Sequence, residues 1–443
     1  MFRRLGPQHR SESLTGTGAC RCCTAVSEPA AILITVLAVS EGPRSTRHFG
    51  MDWLRIAAFG LLILYHIGMA FVPWPFEIKV AAPRNWVAIP MLATNAWRLS
   101  LLFLVSGYAS AALLAREPVG NFFRGRMLRL GLPLIFGMAV LNTPQPWVAL
   151  VTQHGYTRSF AYFLLHDYYR FQFIDDVAMP TWMHLWFVAY LIAYTSLLSL
   201  GCVAFPGRGA AITRLLERAL KGPLVLLVPV IYVYLVRRLL PPGWIDTHAL
   251  VNDWSAHAVY FAMFAFGLAL RRSSQLMSMI RRQWRLGAVL AVTAYTGVLV
   301  VEQAWPGNTP VPEAWRPVFG LLRAMQCWTT IVALVGAADT YLDSDHPWRA
   351  TLAEAVFPLY LIHQTIILVA GYWLLGSRLN PGLRFVVLVL ATAAGSWLFY
   401  LVGRRIGWLR PWIGLSHRER DPRSRFRKSG EAQADQPDAI AAR

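Results

Sequence analysis

The chain has 443 residues, of which 56% are hydrophobic and only 15% charged, against about 45–50% and about 25% in soluble domains. Such a chain cannot cover a water-soluble fold with polar groups. A disordered protein, a collagen-like fibre and a small disulfide scaffold are excluded, which leaves an all-α, polytopic membrane protein. The 42 Lys and Arg exceed the 23 Asp and Glu by a formal charge of +19, but the basic residues sit in short clusters between apolar runs. They form no stripe with interleaved aromatics, so nucleic acid is not an expected partner.

In chain order, residues 1–46 form a basic tail. Its apolar stretch Ala30–Val39 resembles a secretory signal; a weakly hydrophobic extension, or a natural start near Arg44, accounts for it equally. Cys20, Cys22 and Cys23 crowd there without a second pair or nearby histidines, and read as incidental thiols rather than a zinc site. Between residues 47 and 410 the apolar runs predict ten spans, near 53–73, 94–115, 130–151, 183–205, 222–240, 256–271, 286–304, 318–338, 355–375 and 383–403. Counted by alternate side, Lys and Arg show an excess of about three to one on one side, which predicts cytoplasmic N- and C-termini and argues against a cleaved signal. Residues 411–443 form a basic, polar tail, expected to be disordered and cytoplasmic. No internal repeat and no soluble catalytic domain is present, so any chemistry must come from the spans and their loops.

Span one carries Asp52, Arg55 and His66. Eleven residues are three helical turns with a small remainder, so Arg55 and His66 share a face about 16 Å apart, and Asp52 joins it. An ionisable residue inside a membrane costs roughly 2.5–3.5 kcal/mol on insertion scales and is a functional candidate by default. Arg55 also suits simple anchoring at the inner interface with Asp52 as its neutraliser, and His66 also suits a buried structural role. Arg98, near the outer end of span two, opposes the positive-inside trend and is expected to pair with a carboxylate, either on a substrate or on an outer acidic residue. Ser106-Gly107, deeper in that span, suits close helix approach better than nucleophilic attack.

These residues bring a resemblance into view. Arg55 and His66 match the R-x10-H signature of the membrane acyltransferase 3 family. Four further stretches follow in the family's order: Leu101 to Tyr108 resembles its "FFxxSGY" segment, Phe122 to Leu130 with Pro133 its arginine-rich turn, His184 to Phe187 its "HLWFL", and Tyr360 to His363 its late "YLxH". The resemblance covers residues 47 to about 405. It implies a multipass enzyme of the bacterial inner membrane that moves an acyl group from cytoplasmic acyl-CoA to a glycan hydroxyl at the other face. The absence of a fused esterase-like domain is most similar to the branch that decorates periplasmic glucans, with acetyl or succinyl as the acyl group.

The chemistry such a transfer needs can be placed on the same residues. His66, with an unperturbed pKa near 6.5, is the expected general base, with an acyl-histidine intermediate as the alternative. Arg124, Arg126 and Arg129 offer guanidinium forks for the phosphates of acyl-CoA, or anchor the inner interface. Arg55 would orient the thioester or diphosphate, and Asp52 completes that group. Arg98, Ser106, His184 and His363 are the expected substrate contacts, although His184 also reads as an interfacial histidine and His363 as a core hydrogen-bonding one. The segment Thr152–Trp182, with Tyr156, Tyr162, Tyr168, Tyr169, Asp167, Asp175 and Asp176, suits either sugar stacking or an interfacial belt. No metal or bound cofactor is implied; acyl-CoA is a co-substrate and the oligomeric state is open. A transporter or flippase for an acylated product or acyl donor would instead predict broken half-helices in two similar halves, and a scaffold would make His66 and Arg55 replaceable.

Overall fold

The computed structural model describes residues 49–416 apart from Asp176 and Asn308. The signal-like stretch, the cysteine cluster and all but the first residues of the C-terminal tail lie outside the described residues. The architecture is all-α, with one two-residue-per-strand hairpin, β1 (Phe173–Ile174) and β2 (Val177–Ala178). The main helices are α1 (Phe49–Met69), α2 (Asn85–Asn95), α3 (Arg98–Leu114), α4 (Val119–Phe136), α5 (Pro144–Gln153), α6 (Trp186–Ala204), α7 (Arg208–Ala219), α8 (Leu224–Leu239), α9 (Trp254–Arg272), α10 (Ser274–Ala304), α11 (Arg316–Tyr341), α12 (Pro347–Leu375) and α13 (Pro381–Arg405).

Local sequence starts these helices as expected. Ser273 accepts from the Leu276 amide at 3.1 Å and opens α10, and Asn380 accepts from the Leu383 amide at 2.9 Å with Pro381 at the first position of α13. Seven stretches are long and apolar enough to cross a membrane, and nine if each bent helix pair counts as one span. By this measure the described residues hold seven to nine of the roughly ten expected spans. The expected third span is bent by 44° between Val119–Leu141 and Pro144–Gln153, whereas the expected fifth is α8 alone, which α7 meets at 108°. The first bend follows a π turn at Gly137–Leu141 and Pro144, the second Gly222-Pro223, both causes of helix breakage. The short sixth stretch, α9, is helical but is not among the seven.

The helices divide into lipid-facing and central ones. Only 22% of the apolar window is buried in α10 and α13, against 56% in α12, so exposed Val289, Val292, Val300, Leu390 and Leu398 suit acyl chains rather than water. Centrally, α3 and α9 cross with backbones in contact. A Cβ at Gly107 would lie 1.9 Å from the Phe264 carbonyl oxygen, and one at Gly267 2.0 Å from that of Leu104. Buried Trp328 donates its indole N–H to the Val225 carbonyl at 2.6 Å, tying α11 to α8. Ile413 and Leu415 are also buried, so core packing continues past residue 410.

Candidate active site

α1 delivers Tyr65 and His66 at its C-terminal end, where the chain turns back on itself. The Lys79 ammonium donates to the carbonyls of Met69 and Val72, both at 2.8 Å, and of Trp74 at 2.5 Å. It thereby satisfies acceptors that a helix end leaves open. Burial lowers the Lys79 pKa to about 8, with Glu77 opposing the shift. Burial pushes the Glu77 carboxyl above its ordinary value.

Three histidines distant in sequence converge here. His66 Nδ1 lies 2.8 Å from His363 Nε2, and His363 Nδ1 lies 2.5 Å from the Tyr360 carbonyl oxygen. His184 Nε2 reaches the same carbonyl at 3.2 Å, and the Tyr360 hydroxyl donates to the His184 carbonyl at 2.6 Å. The partners set the tautomers. A carbonyl only accepts, so His363 carries its hydrogen on Nδ1 and, when neutral, accepts at Nε2. His66 must then donate through Nδ1, which leaves the lone pair of neutral His66 on Nε2. That nitrogen makes no hydrogen bond to any described residue, and His66 lines a large cavity.

The cavity measures about 1280 Å³. Its wall includes His66, Arg98, His184, His248, Arg323 and five tryptophans, Trp74, Trp182, Trp186, Trp244 and Trp305. Arg98 is 6% exposed, and its guanidinium carbon lies 3.4 Å from the centre of the Tyr65 ring. No carboxylate pairs with it among the described residues, contrary to expectation for an internal partner, and its Nε and Nη1 have no hydrogen-bond partner. Asp246 is held by Arg237 at 2.5 Å and by the Tyr260 hydroxyl at 2.5 Å. A buried polar knot supports the His184 segment from behind: Gln145 donates to Thr365 at 2.7 Å and to Asn142 at 3.0 Å, and Asn142 donates to the Trp182 carbonyl at 2.9 Å.

Of the residues expected from sequence, His66, His184 and Arg98 line this cavity, and His363 stands outside its wall, bonded to His66 Nδ1. Ser106 does not line it. Ser106 lies beside the glycine contact with α9, and its carbonyl accepts the Ser110 hydroxyl at 2.8 Å. Asp52, Arg55, Arg124, Arg126 and Arg129 are also absent from the cavity wall, because they belong to the opposite end of α1 and the start of α4. There Asp52 is 2.7 Å from Arg349, which also binds Asp345 at 2.7 Å, so its carboxylate serves a link between α1 and α12 rather than the His66 site. Arg55 donates to the Ala353 carbonyl at 3.1 Å. Arg124 and Arg129 are exposed, whereas Arg126 has Nε and Nη2 buried without a hydrogen-bond partner and feels the charges of Arg129 and Arg55.

Three of the four tyrosines of Thr152–Trp182 use their hydroxyls within the fold, and exposed Tyr162 stacks on His166. Tyr168 and Tyr169 donate to Met138 and Ala139 carbonyls of the π turn at 2.6 and 2.5 Å, and Tyr156 donates to Asp167. Asp176 lies outside the described residues. Sequence reading missed His248 and Arg323. His248 sits in a loop at φ 58, its amide donates to Asp253 at 3.2 Å, and its ring stacks on Trp186 at 4.3 Å. Burial pushes its pKa down, with Asp246 and Asp253 opposing. No periodicity marks a loop histidine of this kind.

The sequence profile described as an acyltransferase domain, acyltransferase 3, matches residues 48–401. The chain belongs to the acyltransferase 3 family. Two relatives, both called glucans biosynthesis protein C, come from Shigella dysenteriae serotype 1 (strain Sd197) and Escherichia coli (strain SMS-3-5 / SECEC). Each is 26% identical over 151 residues, which is 34% of this chain and 38% of the relative's own length. No solved structure matches. This acyltransferase 3 family member has the apolar helices of a multi-pass membrane protein, and its histidine cluster joins three of the five motif segments, those of His66, His184 and His363.

Proposed function

We propose that the protein transfers an acyl group, acetyl or succinyl, from cytoplasmic acyl-CoA to a hydroxyl of an envelope or periplasmic glycan in the bacterial inner membrane. The observation that carries this reading is the chain from the Tyr360 carbonyl through His363 to His66, which leaves a lone pair on His66 Nε2 at the cavity. A fixed tautomer with one free basic nitrogen is what a general base requires. In the reaction His66 Nε2 takes the proton of the acceptor hydroxyl as its oxygen attacks the thioester carbon, then returns it to the departing thiolate. His363 holds the ring in place and accepts from Nδ1–H throughout.

The relatives' printed name supports a glucan as the acceptor, and the tryptophan-rich cavity wall supports a sugar ring by stacking. Arg124, Arg126 and Arg129 are assigned to the acyl-CoA phosphates, with the partnerless nitrogens of buried Arg126 as the strongest candidate. Arg55, whose charge Arg126 feels, is about 16 Å from His66 along α1, a gap for the flexible pantetheine arm to cross. In this reading the arginine cluster faces the cytoplasm and the cavity faces the opposite side.

Mass spectrometry of periplasmic glucans and surface polysaccharides tests the reading. In cells lacking the protein, an ester-sized mass increment should disappear. Wild type should restore it, and a normally expressed His66→Ala should not. Restoration by His66→Ala would remove the base assignment and favour a transporter or scaffold.

A further inference from the structure

Acyl transfer from a thioester to a hydroxyl passes through a tetrahedral species whose former carbonyl oxygen carries negative charge. A base does not stabilise that charge; donors aimed at it do. Arg98 has the properties of such a donor. It is 6% exposed and lines the same cavity as His66, yet its Nε and Nη1 make no hydrogen bond. Two buried N–H groups without partners are costly unless a ligand completes them.

None of the three carboxylates of the cavity wall pairs with Arg98. Asp246 is bound by Arg237 and Tyr260, Glu302 accepts the Gly307 amide at 2.9 Å, and Glu77 accepts from Gln364 at 3.4 Å through Oε1, while its Oε2 is buried without a hydrogen-bond partner. Arg98 is also tied to the helix that carries the base. Its guanidinium lies 3.4 Å over the Tyr65 ring, whose centre is 6.3 Å from that of His66. Stacking uses the guanidinium face and leaves its edge, where the N–H groups are, available.

Resting on the acyltransferase reading above, we propose that Arg98 Nε–H and Nη1–H bind the oxyanion formed when the acceptor hydroxyl attacks the acyl group at His66. The acceptor oxygen forms a bond to the acyl carbon, the carbonyl π pair moves to oxygen facing Arg98, and the hydroxyl proton goes to His66 Nε2. On collapse the pair returns, the C–S bond breaks with its electrons on sulfur, and the thiolate takes the proton from His66. Arg98 gains and loses no atom.

The test uses the full-length protein in detergent or nanodiscs with a glucan oligosaccharide as acceptor, and acetyl-CoA and succinyl-CoA as donors in parallel. Arg98→Gln should lower kcat by roughly 10²–10³-fold with both donors while KM stays within a few-fold. Arg98→Lys keeps the charge over Tyr65 but loses the fork, and should fall between; it carries the test if the glutamine variant does not fold, with melting temperature as the control. A loss confined to succinyl-CoA and expressed in KM would overturn the proposal and make Arg98 an anchor for the donor's carboxylate. Unchanged kcat with both donors would also overturn it. A folded wild type inert with both donors would sink the acyl-CoA reading itself, and the role of Arg98 with it.

Discussion

At the Arg55 end of α1 the carboxylates are paired, Asp52 with Arg349 and Asp345 with the same arginine, while Arg55 donates to the Ala353 carbonyl. At the His66 end the matching is incomplete. Arg98 keeps two nitrogens without partners, and His66 keeps a basic nitrogen open on a cavity of about 1280 Å³. Matched charges hold helices together, while unmatched ones in a cavity await a ligand. The arginine cluster of α4 divides along the same line, since Arg124 and Arg129 are exposed and Arg126 has buried nitrogens without partners.

Substitutions at three positions would break or sharpen this contrast. The largest effect is expected at His363. His363→Ala leaves His66 Nδ1–H without its acceptor and frees the ring to take the other tautomer. Turnover should fall roughly 10²-fold or more, since a catalytic histidine in the wrong tautomer can lose up to about 10⁴. His363→Gln, whose amide oxygen can accept the same N–H, should recover part of it. Equal activity in both variants and wild type would mean that the relay is structural.

A smaller effect is expected at the other end. Arg126→Gln should raise KM for acyl-CoA by roughly tenfold or more with kcat little changed, because a hydrogen bond to a charged group contributes about 1.5–3 kcal/mol. Direct titration of acyl-CoA onto the variant would read the same loss. Full retention of affinity would make Arg126 an interface anchor. The smallest effect belongs to Asp52→Asn. The Arg349 side chain is 4% exposed but keeps Asp345, and Asp52 is 24% exposed, so the change should cost about 1 kcal/mol of stability and leave kcat as it was. A large fall in kcat at an unchanged melting temperature would return Asp52 to the catalytic group.

Sequence made the helical class legible and singled out His66, because apolar length and a histidine far inside a span are local signals. What it did not reveal are the meetings. His66 and His363 are 297 positions apart, and their hydrogen bond, with the tautomer it imposes, exists only in the fold. Arg98 was expected to find a carboxylate because it opposes the positive-inside trend; Tyr65 takes one face instead, a contact that no spacing announces. The bent third span was read as straight because hydropathy averages over the π turn at Gly137–Leu141. His248 was missed because its placement depends on a positive φ and on Asp253, neither of which leaves a pattern.

The glycine crossing of α3 and α9 has a mechanical side. With Gly107 against Phe264 and Gly267 against Leu104, no layer of side chains lies between the two backbones to act as a bearing. The pair therefore behaves as a fixed post, and Arg98, at the start of α3, is mounted on it. The segments around 74–77, 178–181 and 244–249, which lie outside the helices, also line the cavity and are not part of that post.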